Sequence, residues 1–259
     1  MNGLVKVIQE FICILGSQLL KKRFFQWPST SSPTSASFRL RSADCGTSLR
    51  PVPSEFVLYG GTALALHLGH RQSLDFDFFG NSLFDPARLT AKIPFLTGAT
   101  ITQQEPNTLS AIIDREGPVK VSFFGLPGIG RMRPPHIAPD NGLQIASLLD
   151  LAGTKAAVVQ GRAEAKDYFD LDALLQDGRI DLPTALASPR GIYGPKFNPQ
   201  ITLTVLSFFG DGNLSRLAHA VQDRLARAAR EVDLDRLPDI ALAPRRNDPD
   251  RSQFRSMPK

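Results

Sequence analysis

Apolar residues change their spacing several times along this chain, and each change marks a different element. Leu4, Ile8, Phe11, Leu15 and Leu19 recur at helical intervals, which predicts an amphipathic helix over residues 4–25. Lys6 and Glu10 interrupt that stretch, and Lys21 to Arg23 follow it, an order unlike that of a secretory signal. Such a helix can dock on the core, bind a partner, or be an upstream extension read from a misplaced start. Ser, Thr, Pro and Arg dominate residues 28–54, which reads as a flexible linker and puts the start of the folded domain near Pro53.

Short strand-like runs come next. F-V-L-Y at 56–59 predicts a strand, Gly60, Gly61 and Thr62 a turn, residues 63–68 a short apolar helix, and the run through 75–79 a second strand carrying Asp75 and Asp77. Residues 85–94 read as a helix with Asp85 as its cap and Pro86 in its first turn. Strands are expected at 99–103, 109–114 and 119–124, with Asp114-Arg115-Glu116-Gly117 turning between the last two. Residues 127–140, rich in Gly, Pro and Arg, read as a surface loop, where Arg131 and Arg133 are expected to be solvated rather than to meet phosphates.

Beyond residue 146 the period becomes helical. Ser147 opens a helix running to about 160, with Asp150 three residues on in the manner of a capping box. Further helices are expected at 164–176, stopped by Gly178, at 198–210, and at 214–232. Residues after Pro238 read as a frayed tail. The fold class is therefore α+β, a small mixed sheet followed by a helical part. The expected divisions are 1–54, 55–140, 141–237 and a disordered tail at 238–259.

With 259 residues the chain is long enough for a sizeable core. Cys13 and Cys45 make neither a disulfide framework nor a ligand cluster, which fits a reducing cytoplasm. The net charge of +5 leans toward a polyanionic partner such as nucleic acid. No apolar run approaches the ~20 residues of a membrane span.

Asp75 and Asp77 change the picture most. Two residues apart on a strand, they leave the same face while Phe76 and Phe78 leave the other. Carboxylates roughly 6 Å apart repel by about 3 kcal/mol at an effective dielectric of 20. A divalent cation offsets that, and oxygen ligands beside a glycine turn suit Mg²⁺ with phosphate completing its shell. The glycines allow backbone N–H groups to approach a phosphate, and the following helix adds its positive end.

The full run G-G-T-A-L-A-L-H-L-G-H-R-Q-S-L-D-F-D-F-F resembles the AbiEii-type nucleotidyltransferase toxins of type IV toxin–antitoxin and abortive-infection systems, a branch of the DNA polymerase β-like superfamily. The resemblance implies a polymerase β-like nucleotidyltransferase core. It implies that Gly60, Gly61, Thr62, Arg71 and Ser73 bind the nucleotide and that Asp75 and Asp77 hold Mg²⁺. The later stretch L-L-D-L-A-G-T-K-A-A-V-V-Q-G-R-A-E-A-K-D-Y-F-D-L-D-A-L-L resembles the same family, and by that match Lys155 and Asp170 are its active-site lysine and aspartate. Without the resemblance, Lys155 reads as a snorkelling surface lysine and Asp170 as a partner of Lys166; Arg162 and Asp167 read as a salt-bridged shell at the helix junction.

The implied reaction is Mg²⁺-dependent transfer of a nucleotide from an NTP to an acceptor hydroxyl, the 3′ end of tRNA being the implied acceptor. A cognate antitoxin is the implied partner, with no membrane partner. The chain departs from the superfamily in one place. Ser122, in V-K-V-S-F-F, stands where a third carboxylate is expected. That supports the alternative of a degenerate fold that binds a nucleotide or partner without turnover. His67 and His70 have H-x-x-H spacing but lack the further ligands a zinc site needs, and the phenylalanines at 76, 78, 79, 123 and 124 read as core.

Overall fold

The computed structural model describes residues 52–243, apart from 116 and 140. The helix expected at 4–25, nearly all of the expected linker and the last sixteen residues of the expected tail lie outside the described residues.

A seven-stranded mixed sheet organises the described residues, in the order β3-β4-β5-β2-β1-β7-β6. Its strands are β1 (Phe56–Tyr59), β2 (Phe76–Gly80), β3 (Thr100–Glu105), β4 (Thr108–Asp114), β5 (Pro118–Gly125), β6 (His136–Ile137) and β7 (Gln144–Ile145). β2 lies antiparallel to β1 and parallel to β5, so the strand of Asp77 is central and hydrogen-bonded on both sides. Two-residue strands β6 and β7 sit at the edge. β6 falls within the stretch read from sequence as loop, because a pair that short has no alternation to reveal it.

The register sets one row of side chains across the sheet: Tyr59 opposite Asp77, Asp77 opposite Ser122, and Ser122 opposite Ser110. Facing residues in a ladder share a face. On the same face, Phe79 stacks on Tyr59 with ring centroids 4.7 Å apart. On the other face Phe78 stacks on Phe123 at 5.0 Å, and Phe56 meets Phe123 edge-on at 5.1 Å. All five phenylalanines expected in the core are buried, Phe79 and Phe124 on the Asp77 face and Phe76, Phe78 and Phe123 on the other.

Among the described residues seven α-helices accompany the sheet: α1 (Gly60–Leu68), α2 (Pro86–Lys92), α3 (Leu148–Val158), α4 (Ala165–Asp177), α5 (Leu182–Tyr193), α6 (Pro199–Val205) and α7 (His219–Glu231). Helix α1 packs against β1, β2, α3 and α4, which brings both motif stretches to one end of the sheet. The apolar core runs without a break from β1 to α7.

Local chemistry explains the helix ends. Asp85 accepts from Arg88 N–H at 2.8 Å and caps α2. Ser147 Oγ accepts from Asp150 N–H at 3.1 Å and caps α3. The Asp150 carboxylate answers the cap through the Ser147 hydroxyl, which donates to its Oδ2 at 2.6 Å, and it also accepts from Met132 N–H at 2.8 Å and Arg133 N–H at 3.2 Å. Gly178, at φ +81, ends α4 as its sequence predicts.

Four boundaries differ from expectation. Helix α1 begins at Gly60, so the glycines form its first turn rather than a loop before it. β2 begins at Phe76, so Asp75 precedes the strand by one residue instead of lying on it. Helix α6 stops at Val205 rather than near 210. The helix expected from 214 is a 3₁₀ turn at Leu214–Arg216 followed by α7.

Candidate active site

The glycines of α1 leave room for two charged side chains. Gly60, at φ +73, lies so close to Asp77 that a Cβ there would sit 2.9 Å from the carboxylate Oδ2. A Cβ at Gly61 would sit 2.2 Å from Arg71 Nη2. Thr62 ties the next loop down: its hydroxyl donates to the Asp75 carbonyl and lies 2.9 Å from the Ser73 hydroxyl. Gly60, Gly61, Thr62, Arg71, Ser73, Asp75 and Asp77 are thus one connected corner of the molecule.

Asp77 is held there against its electrostatic preference. Burial first, and the neighbouring Asp75 second, push its pKa above the usual carboxylate range, against the pull of Lys120, Lys166 and Arg162. A carboxylate raised by burial and by a second carboxylate beside it belongs to a donor set that a divalent cation fits. Among the described residues no group of three or more His, Cys, Asp or Glu side chains could hold a metal. Ser122 accounts for the missing third oxygen anion: it is 0% exposed, opposite Asp77, and 3.2 Å from the Ser110 hydroxyl.

Helices α3 and α4 supply a chain of buried charges facing that corner. Lys155, only 5% exposed, is no surface lysine. Its Nζ lies 2.7 Å from Asp167 Oδ1 and 2.6 Å from Asp170 Oδ2. Asp167 and Asp170 sit three apart on α4, one turn of the same face, and both are 0% exposed. Arg162 completes Asp167 with bonds of 2.7 and 3.0 Å. Arg71 grips Asp170 with two, at 2.5 and 2.9 Å, and His70 Nε2 lies 2.8 Å from the same carboxylate. Lys166 pairs instead with Glu164 at 3.4 Å, so Asp170 is not its helical partner.

These contacts fix the charges. Burial alone would push Asp167 and Asp170 up. Lys155 and Arg162 outweigh it at Asp167 and hold that carboxyl at about 2. Lys155, Arg71 and His70 hold Asp170 well below the usual carboxylate range. At Lys155 burial pulls down, yet Asp167 and Asp170 keep the ammonium above its ordinary pKa. Asp167 therefore lends stability above its unfolded pKa of 3.8 and loses it as pH falls through about 2. We expect about 2 kcal/mol of unfolding free energy to vanish between pH 4 and 2 from this group. Urea midpoints across that range measure it, and the Asp167→Asn protein should show a flatter curve.

Not every sequence candidate joins this cluster. His67 turns away: its Nε2 lies 2.9 Å from the Ala146 carbonyl and its ring meets His136 edge-on at 5.1 Å. His67 and His70 therefore share no ligand. Arg133 donates to the Met132 carbonyl at 2.6 Å and the Ala241 carbonyl at 3.1 Å, and Arg131 bonds to the Tyr59 phenol. His70 was not singled out by sequence as part of the Asp170 cluster, and only its place beside Arg71 hinted at it.

Several known proteins are similar to this chain. An uncharacterized protein of Aquifex aeolicus is 34% identical over 131 residues, which is 50% of this chain and 62% of that protein's length. MenT4, a nucleotidyltransferase toxin from Mycobacterium tuberculosis, shares the fold at 16% identity with a TM-score of 0.52, over 79% of this chain and 92% of that one. A Helicobacter pylori protein of known crystal structure is 19% identical, with a TM-score of 0.45, over 78% of this chain and 92% of that one. The model of the nucleotidyl transferase AbiEii toxin family, type IV toxin–antitoxin system, matches residues 45–257, which takes in both halves of the charged cluster, and the chain belongs to that family.

Proposed function

We propose that this chain transfers a nucleotide from an NTP to the hydroxyl at the 3′ end of an RNA, tRNA being the favoured acceptor. The observation that carries the reading is the half-buried Asp77 carboxylate, raised by burial first and Asp75 second and lying against the first turn of α1, with Arg162 and Arg71 close enough to act on Asp77 and Asp75 and Lys155 bound to the same Asp167 and Asp170 as they are. Asp75 and Asp77 would hold Mg²⁺. Bound there, the cation would neutralise triphosphate charge and offset the repulsion between the two aspartates. The N–H groups of Gly60, Gly61 and Thr62, at the positive end of α1, would receive phosphate oxygens. Ser73, fastened to Thr62, would hold the loop at the phosphate and offer its own hydroxyl to it.

Lys155 has three N–H donors and spends two on Asp167 and Asp170, which leaves one for the leaving pyrophosphate. Asp170 acts by holding Lys155, Arg71 and His70 in position, so that the cationic wall is set before substrate arrives. Alignment and charge neutralisation carry most of the barrier reduction in phosphoryl-type transfer. The net charge of +5 supports a polyanionic acceptor. Family membership supports a cognate antitoxin as partner and the cytoplasm as the place of action. Among the described residues no helix is long and apolar enough to cross a membrane.

The test is label transfer. Protein, Mg²⁺, each α-labelled NTP in turn and total tRNA should give a labelled RNA band. Label on a protein or small molecule instead would keep the chemistry and overturn the RNA acceptor. NTP binding without any transfer would favour the second reading, a nucleotide binder without turnover, for which the buried Ser122–Ser110 pair at the third ligand position speaks.

A further inference from the structure

Asp170 has no room for another proton. Its Oδ1 meets His70 Nε2 at 2.8 Å and Arg71 Nε at 2.5 Å; its Oδ2 meets Arg71 Nη2 at 2.9 Å and Lys155 Nζ at 2.6 Å. Four donors fill the roughly four lone-pair sites of a carboxylate. Ser122 cannot take its place, being a hydroxyl already engaged with Ser110. Transfer to a hydroxyl nevertheless requires something to accept that hydroxyl's proton.

His70 has the form of that acceptor. Asp170 is ionised and can only accept from it, so the proton on the ring sits at Nε2. In the neutral imidazole that tautomer leaves a lone pair on Nδ1. The side chain is 8% exposed, and Nδ1 is buried with no hydrogen-bond partner among the described residues. An orphaned buried polar atom is costly and calls for a reason. Here a bound hydroxyl would supply the missing partner. The ring is also fixed in attitude, with Asp170 at one edge and Phe169 stacked on it at 5.8 Å and 24°.

We infer that His70 is the general base for the acceptor hydroxyl, with Asp170 as the residue that orients it; this rests on the nucleotide transfer proposed above. The acceptor O–H bond breaks and its proton goes to the Nδ1 lone pair. The freed oxygen forms a bond to the α-phosphorus, the bond from that phosphorus to the bridging oxygen breaks, and pyrophosphate leaves with the electron pair. Asp170 then faces an imidazolium, whose charge it balances, until the ring returns the proton to water.

His70→Gln separates this role from a structural one, because its amide nitrogen can reach the Nε2 position and still donate to Asp170 while offering no base. In the label-transfer assay we expect kcat to fall 10²- to 10⁴-fold with the NTP KM and melting temperature near wild type. In His70→Gly, free imidazole should restore part of the lost rate. Wild-type kcat in His70→Gln, with the wild-type protein active, overturns the inference and leaves the transfer reading standing. So does a folded His70→Gly that imidazole fails to rescue. Failure of the wild-type protein itself to transfer any NTP to RNA overturns the transfer reading and the base with it.

Discussion

Asp77→Asn is expected to abolish nucleotide transfer and, in the same molecule, to raise the melting temperature of the metal-free protein. The two effects share one cause. Folding raises the pKa of Asp77 above the unfolded value of 3.8, through burial first and Asp75 second. The folded state thus favours the protonated form. As pH rises from 3.8 through the folded pKa, the unfolded chain releases this proton sooner, and stability falls. At neutral pH the ionised group is a standing cost, which asparagine removes at nearly constant volume. Differential scanning calorimetry in EDTA should show the variant melting higher. Added Mg²⁺ should then raise the melting temperature of the wild-type protein and leave that of the variant nearly unchanged, since only a folded-state ligand stabilises by mass action. Transfer should fall at least about 10³-fold with loss of a ligand that aligns and neutralises the triphosphate. A variant that melts lower without metal would mean that Asp77 is satisfied in the empty protein, against the electrostatics given above.

Lys155→Met is expected to have the largest cost in stability. Methionine matches the length of the lysine stem but leaves Asp167 and Asp170, both fully buried, without the ammonium that bridges them at 2.7 and 2.6 Å. Removing one partner of a buried ion pair costs about 3–5 kcal/mol. Arg162 and Arg71 remain on the two carboxylates, which argues for the lower end, about 3 kcal/mol. For a domain of this size that corresponds to a fall of roughly 6–12 °C in melting temperature. Adding Asp170→Asn to Lys155→Met should recover part of the loss, giving a non-additive double-mutant cycle. Additive losses would mean that the lysine and the aspartate do not act on one another.

How much of this was legible depended on how local each signal is. The caps at Asp85 and Ser147, the stop at Gly178 and the strand before Gly60 rest on neighbours within four residues, and sequence reads those well. Helix α5 is the element the sequence pattern hides: Asp181 and Pro183 make a helix start like that at Asp85 and Pro86, but Pro189 and Gly191 inside it argue against a helix, and close packing overrides them, with Gly153 of α3 so near Ser188 that a Cβ would come within 2.8 Å. The glycines at 60 and 61 suggested a loop because glycine usually marks one, whereas here their missing side chains make space for Asp77 and Arg71. The D-x-D pair was visible as a repeat of two residues, although Asp75 lies one residue before the strand and only Asp77 on it. The grip of Arg71 on Asp170 was not, since it joins residues 99 positions apart and neither partner carries a mark of the other.

That long reach has a bearing on synthesis. During translation the corner from Phe56 to Asp77 leaves the ribosome first, and at that moment its two aspartates have none of the cations of α3 and α4 beside them. Lys155 and Asp170 emerge some 80 to 100 residues later, a delay of roughly 5–20 s at ordinary elongation rates. Until then Arg71 has no Asp170 to seize and the wall of positive charge does not exist. The charged site is therefore incomplete through most of the chain's synthesis, and it forms only when the two halves close on each other.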